Sequence, residues 1–201
     1  MKHALIIAHP APRGFTATMA KAYAAALVEQ GHQVLVRDLY RMEFDPRLGA
    51  DEIPTPEGFA PRADVRAERE QLQDVQAFAF FYPVWFNAPP AMLKGYIDRV
   101  FGMGFGYGMG EGGNAPLLAG RSMISVSSSG APKSWLMQTG CWDAMRKLFD
   151  EHVAGVCGLA VLDHLHFGAI TPHITAEAVE SCAAEVRATA VRRFRRAPEM
   201  A

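Results

Sequence analysis

The stretch Tyr82 to Tyr107, YPVWFNAPPAMLKGYIDRVFGMGFGY, restricts the fold of this chain more than any other part of it. It follows an apolar run, Ala77 to Phe81, whose shortness and aromatic content suit a buried strand rather than a helix. Pro83 is expected to stop that strand. After a polar and aromatic turn, Pro89 and Pro90 stand where a helix would start, because proline's fixed φ suits the first helical turn and its missing N–H is not needed there. From Ala91 onward Leu93, Tyr96, Ile97, Val100 and Phe101 recur at helical spacing, which predicts a buried stripe with Lys94, Asp98 and Arg99 nearer water. A loop with glycine at 102, 104, 106 and 108 follows and carries Phe105, Tyr107 and Met109.

The rest of the chain alternates strand and helix, the pattern of an α/β protein with a parallel sheet. His3 to Ala8 reads as a first, fully buried strand, and Phe15 to Gln30 as an amphipathic helix with Met19, Tyr23 and Leu27 on one face, ended by Gly31. Gln33 to Arg37 supplies a second strand. The segment Asp38 to Pro61 then runs without clear periodicity, far longer than an ordinary connection, and such loops are usually functional or disordered. Arg62 to Asp74 reads as a charged, solvated helix leading into the third strand at Ala77. Ser122 to Val126 reads as the fourth strand, Trp142 to Val153 as a helix with Trp142, Met145 and Phe149 inward, and Leu159 to Phe167 as the fifth strand. Thr175 is placed to cap a last helix with Val179, Ala183, Val186, Ala190 and Phe194 inward, and Arg192, Arg193, Arg195 and Arg196 read as its solvated end. The expected architecture is one domain over residues 1–201, a doubly wound five-stranded parallel sheet of order 2-1-3-4-5 with helices on both faces.

Composition narrows the function classes. A hydrophobic content of 50% and a net charge of −1 describe a globular protein with no electrostatic bias toward nucleic acid or anionic lipid. Cys141, Cys157 and Cys182 form no Cys-x-x-Cys pair, so neither a disulfide framework nor a cysteine metal site is indicated, no metal is expected, and a reducing cytoplasm is the expected compartment. The N-terminal apolar run is too short for a signal sequence. The most apolar stretch, Phe78 to Met92, is broken by Asn87 and prolines, so no membrane span is expected.

In a doubly wound sheet the ligand sits beyond the carboxyl ends of the strands, where the strand order reverses, so the loops after the first, third and fourth strands should meet. The first, HPAPRGFTA, joins a strand to a helix N-terminus, where free N–H groups and the helix dipole favour a phosphate. Thr16 adds a hydroxyl and Gly14 a close backbone approach. The loop after the third strand, Pro83, Val84, Trp85, Phe86 and Asn87, can pack an aromatic on a flat ligand and present backbone groups to its edge. The loop after the fourth, Ser127, Ser128, Ser129 and Gly130, offers hydroxyls and N–H groups; Lys133 is its cation and Trp135 its aromatic.

On these residues the chain resembles the NAD(P)H:quinone oxidoreductase family, DT-diaphorase and its bacterial relatives, flavoproteins of flavodoxin-like fold. The family reads roughly FPLxWFGxPAxLKGxxDRVFxxGFAY, and the run Tyr82 to Tyr107 follows it in order and spacing without a gap. The resemblance covers His3 to about Leu162. It implies a flavin, FAD favoured over FMN, with its phosphate held at His9, Arg13, Phe15 and Thr16, its ring along Pro83 to Asn87, and its pyrimidine edge at Ser127 to Gly130. Phe86, Phe105, Tyr107, Met109 and Trp135 would form the substrate pocket. The departures are specific: Gly14 replaces a serine, Phe86 stands for the family's tryptophan with Trp85 one residue earlier, Asn87 replaces a phenylalanine, and Ser129 replaces a glycine. Trp135 lies where the family has tyrosine, and no histidine occurs near Cys141, where the family's catalytic histidine falls. That leaves Tyr107 and Lys133 as candidate catalytic donors.

The resemblance implies a homodimer that passes a hydride from NAD(P)H to flavin and then to a quinone or similar small acceptor by ping-pong exchange, the long loop helping to build the dimer. Two other classes stay open: an ancillary subunit of a potassium-efflux system, with a membrane-protein partner, and a flavodoxin-type electron carrier, against which the lack of strong acidity speaks.

Overall fold

The computed structural model describes residues 1–56 and 58–195, so Arg196 lies outside the described residues. Five parallel strands form the central sheet: β1 (Lys2–Ile7), β2 (Gln33–Asp38), β3 (Ala77–Pro83), β6 (Ser122–Ser128) and β7 (Ala160–Phe167). Their order is β2-β1-β3-β6-β7, so the expected flavodoxin-like order stands, with β6 and β7 as the fourth and fifth strands of the sheet. Two short antiparallel strands, β4 (Tyr107–Gly110) and β5 (Gly113–Pro116), make a hairpin out of the stretch read as an aromatic glycine loop.

Strand periodicity sends alternate side chains to opposite faces, and both faces are covered. Leu5, Ala79, Phe81, Ile124 and Val126 pack under α1 (Phe15–Glu29) and α7 (Ala176–Phe194), against Met19, Tyr23, Leu27, Val186, Ala190 and Phe194. Ile6, Phe78, Phe80, Tyr82 and Met123 face the other way, toward α2 (Ala63–Leu72), α3 (Ala91–Val100) and α6 (His152–Cys157). The Thr175 hydroxyl accepts from Ala178 N at 3.2 Å and caps α7 as its sequence predicts. Among the described residues no helix is long and apolar enough to cross a membrane.

Pro83 ends β3 as expected, paired in register with Ser128, since a proline at a strand end forfeits no inner ladder bond. Two expectations change. The segment Trp142 to Val153 is not one α-helix: α4 (Lys133–Gln138) and α5 (Cys141–Arg146) precede a π turn, Lys147–Glu151, that runs into α6. Arg99, placed by the helix pattern nearer water, is 3% exposed. Its guanidinium donates to Glu52 and Asp64 at 2.8 to 3.2 Å and to Asp45 O at 2.6 Å, tying the long loop and α2 onto α3. The loop also lies against α3 at Gly95, where an added Cβ would stand 2.1 Å from Pro46 O, so no larger residue fits there.

Candidate active site

The connections β1–α1, β3–α3 and β6–α4 emerge at the carboxyl ends of their strands, on both sides of the reversal between β1 and β3. They are stitched together. Val84 N donates to Ser128 O at 2.7 Å, and the rings of His9 and Trp85 lie 6.5 Å apart. Arg41, from the turn after β2, donates to Pro10 O at 2.7 Å and holds the first loop from outside.

α1 begins without a side-chain cap at Gly14, so its first N–H groups remain free for an anion, with Thr16 in the first turn. Ala11 N–H donates to His9 Nδ1 at 3.1 Å, which leaves Nε2 of a neutral His9 as the protonated, donating nitrogen. Arg13 is exposed in the same loop. The donor set of this loop suits a phosphate.

Trp85 to Ala88 form a tight turn in which Trp85 and Ala88 exchange hydrogen bonds of 3.0 and 3.1 Å. Both central residues are left-handed, Phe86 at φ 49 and Asn87 at φ 58, as a type I′ turn requires. Asparagine tolerates that region; a phenylalanine there is strained by about 1 to 2 kcal/mol. The strain projects the Phe86 ring wholly into solvent, with a relative exposure of 106%. Phe86 forms one wall of a cleft of about 380 Å³, with Trp135 on α4 and Val84, Asn87, Ser129 and Gly130 around it. Asn87 Nδ2 donates to Cys141 O at 3.0 Å, while its Oδ1 is buried without a hydrogen-bond partner. A buried acceptor left so beside the cleft suits a ligand that carries an N–H. Flat aromatic walls, an unpaired acceptor and an anion-binding helix start together fit a flavin.

Not every residue singled out in the sequence meets at this cleft. Tyr107 opens β4 and lines a separate groove of about 270 Å³ between α3 and α6, beside Lys94, Phe149 and His152. Phe105 is buried, its ring 5.7 Å from Phe101 and beneath the Arg69 guanidinium. Met109 is exposed on the hairpin. Lys133 begins α4, and its ammonium lies 4.8 Å from the Trp142 ring centroid, a cation–π contact rather than a free charge. Tyr107 and Lys133 are thus not brought together within one chain. Ser127 and Ser129 do more than edge the loop: they bond to His164, His166 and, through His164, Asp150, none of which the motif reading singled out. The available signal was alternation. Ser125 and Ser127 pair in register with His164 and His166, so every second residue of two neighbouring strands is polar on one buried face.

The flavodoxin-like fold family matches residues 1–190, and the chain belongs to it. An NAD(P)H:quinone oxidoreductase from Methanothermobacter marburgensis superposes with a TM-score of 0.85 at 27% identity, covering 98% of this chain and 99% of its own. An NAD(P)H oxidoreductase of Haemophilus influenzae is 29% identical over 85% of either chain. A ribosyldihydronicotinamide dehydrogenase-like protein of Penicillium crustosum is 31% identical over 65% of this chain, which spans only 58% of that relative's length.

Proposed function

We propose that the protein is a flavin-dependent NAD(P)H oxidoreductase that reduces quinones or similar small acceptors. The observation that carries this reading is the aromatic cleft between the connections that follow β3 and β6, joined through the His9 and Trp85 rings to an uncapped helix N-terminus. Names of relatives and of a structural neighbour that spans nearly the whole chain agree with it. A bound flavin would accept a hydride from the nicotinamide and pass it on; the chain's residues bind, orient and move protons. Free N–H groups at Phe15 and Thr16, with Arg13 and His9, hold the phosphate. Val84, Trp85, Phe86 and Asn87 seat the ring, and Ser129 and Gly130 face its polar edge, while the Ser127 hydroxyl is turned inward to His164 and His166. Phe86 and Trp135 leave one aromatic slot, which nicotinamide and acceptor occupy in turn, the basis for ping-pong exchange.

FAD is favoured over FMN on the family resemblance. Two copies are the expected working form on the family resemblance, an arrangement that would let Tyr107, on a separate groove of its own chain, border the cleft of the other. The cytoplasm is the compartment that suits free thiols at Cys141, Cys157 and Cys182. Denaturing the purified protein and identifying what is released separates FAD from FMN. Thr16→Glu places a carboxylate where the phosphate belongs and should empty the site. Full flavin absorbance in that variant refutes the placement.

A further inference from the structure

Behind the cleft, side chains from the π turn, β7 and β6 form one continuous hydrogen-bonded line. Asp150 Oδ2 lies 2.5 Å from His164 Nδ1, and His164 Nε2 lies 2.7 Å from Ser127 Oγ. Ser127 Oγ is 2.8 Å from His166 Nδ1, and His166 Nε2 is 3.0 Å from the Oγ of Ser129, a residue that lines the cleft. The line ends at a carbonyl, and that end fixes where the protons sit. Ala131 O, 2.7 Å from Ser129 Oγ, can only accept, so the Ser129 hydroxyl donates to it. Ser129 Oγ must then accept from His166, whose proton therefore sits on Nε2. Burial, with the charges of His164 and Lys133, pushes the pKa of His166 down to about 4, so its Nδ1 stays bare. The Ser127 hydroxyl donates to that nitrogen and has no proton left for His164. His164 must therefore donate from Nε2, while its Nδ1 shares a further proton with the Asp150 carboxylate. The pair holds two protons, one more than a carboxylate beside a neutral imidazole.

This excess proton is sealed in. The side chains of His164 and Asp150 are 2% and 1% exposed. Ser125 donates to Asp150 Oδ1 at 2.6 Å, so the carboxylate is fully satisfied, the condition under which a buried pair is tolerable. From β3, Tyr82 stacks edge-on at 6.3 Å, its phenol kept protonated by burial and by Asp150. From α5, Trp142 covers both imidazoles at 4.9 and 5.5 Å, and Lys133 of α4 lies against Trp142.

We propose that Asp150 and His164 store a proton that Ser127, His166 and Ser129 deliver to a base seated in the cleft. In delivery the Ser129 hydroxyl turns from Ala131 O and gives its proton to the base, an oxygen or nitrogen on an aromatic ring that gains charge on reduction. His166 Nε2–H replaces it, the Ser127 proton moves to His166 Nδ1, and His164 Nε2–H replaces that. No electrons are transferred along the line. The base gains one proton and the Asp150–His164 pair goes from neutral to a single negative charge, reversed by the same route from water once the product leaves. Ser129 is the contact residue, and the other four act through it. The store is read from the chain alone; delivery rests on the functional reading above.

Histidine-ring NMR of the purified protein at neutral pH tests the store. Two ring N–H groups are expected on His164 and one, at Nε2, on His166, with Asp150→Asn reducing His164 to one. A single ring N–H on wild-type His164 overturns the proposal. Delivery is read from the pH profile of quinone reduction. Ser127→Ala breaks the line but leaves the store, and should lower kcat on the order of a hundredfold in alkaline buffer with KM unchanged. Ser127→Thr, which keeps the hydroxyl, should restore the rate, and added imidazole, giving its proton directly at the cleft, should rescue Ser127→Ala, which the loss of a merely structural hydroxyl would not allow. An unaltered pH profile in Ser127→Ala overturns delivery, whereas a wild-type protein that binds no flavin and reduces no quinone refutes the functional reading and leaves the store to be judged by the NMR result.

Discussion

At Phe86 the backbone and the site make opposite demands. Glycine would relieve the left-handed strain at that position and lose no internal packing, because the ring contacts solvent. After allowing for glycine's greater unfolded-state entropy, Phe86→Gly should stabilise the protein by roughly 0.5 to 1 kcal/mol while weakening aromatic acceptors. A urea midpoint that falls in this variant contradicts the strain argument. Histidines set the acid limit. His3 and His166 are buried neutral, with pKa values pushed to about 3 and about 4, chiefly by burial. In the unfolded chain each regains an ordinary value near 6.5, so between that pH and about 4 the unfolded state binds more protons. The stability they allow is full above about 6.5 and falls with acidification, on the order of 1 kcal/mol per pH unit for each. Chemical denaturation across that range checks the slope, and His3→Asn should make it shallower; a profile flat down to pH ~4 contradicts the assignment.

Among the elements, α3 is the strut on which the long loop and α2 are mounted. Arg99 is the joint. Removing its guanidinium leaves the buried Glu52 without its partner and frees Asp64, so Arg99→Met should cost about 3 to 5 kcal/mol. Equilibrium unfolding measures this, and a loss below about 1 kcal/mol would assign the cluster to the surface class of ion pairs. The family-like Asp98-Arg99 sequence was legible, but its role was not. Periodicity ranks a residue by polarity and so put Arg99 outside, whereas the acceptors that make its burial affordable come from residues 45, 52 and 64, distant in sequence. The π turn was equally hidden. Its wider winding puts Asp150 against β7 at a position that an unbroken α-helix count does not single out.

At the scale of the molecule, apolar surface remains after both sheet faces are covered. The groove lined by Tyr107, Leu148 and His152 adjoins a second one lined by Pro89, Met145 and Leu148, with Leu148 itself exposed. A contiguous patch of this kind suits an interface, and under the proposed function a second copy would be its occupant. Light scattering should give twice the chain mass, and Leu148→Asp should shift it toward the monomer. Mass and activity both unchanged in Leu148→Asp would move the interface elsewhere.

What the sequence determined alone is what depends on near neighbours along the chain. The apolar run at Ala77 to Phe81, prolines at a helix start, and stripes at helical spacing define strands and helices locally, and their alternation with right-handed crossovers leaves few sheet orders. The family-like run from Tyr82 to Tyr107 added one wall of the cleft, Val84, Phe86 and Asn87. Tertiary structure alone decided which polar groups meet. Asp150, Ser127 and His164 lie far apart in sequence, and a hydrogen bond is specified by two positions in space rather than by either residue's type. The same reason separates Tyr107 from Lys133: the family resemblance made both candidate donors, but only the folded chain sets one on a hairpin beside α6 and the other against Trp142.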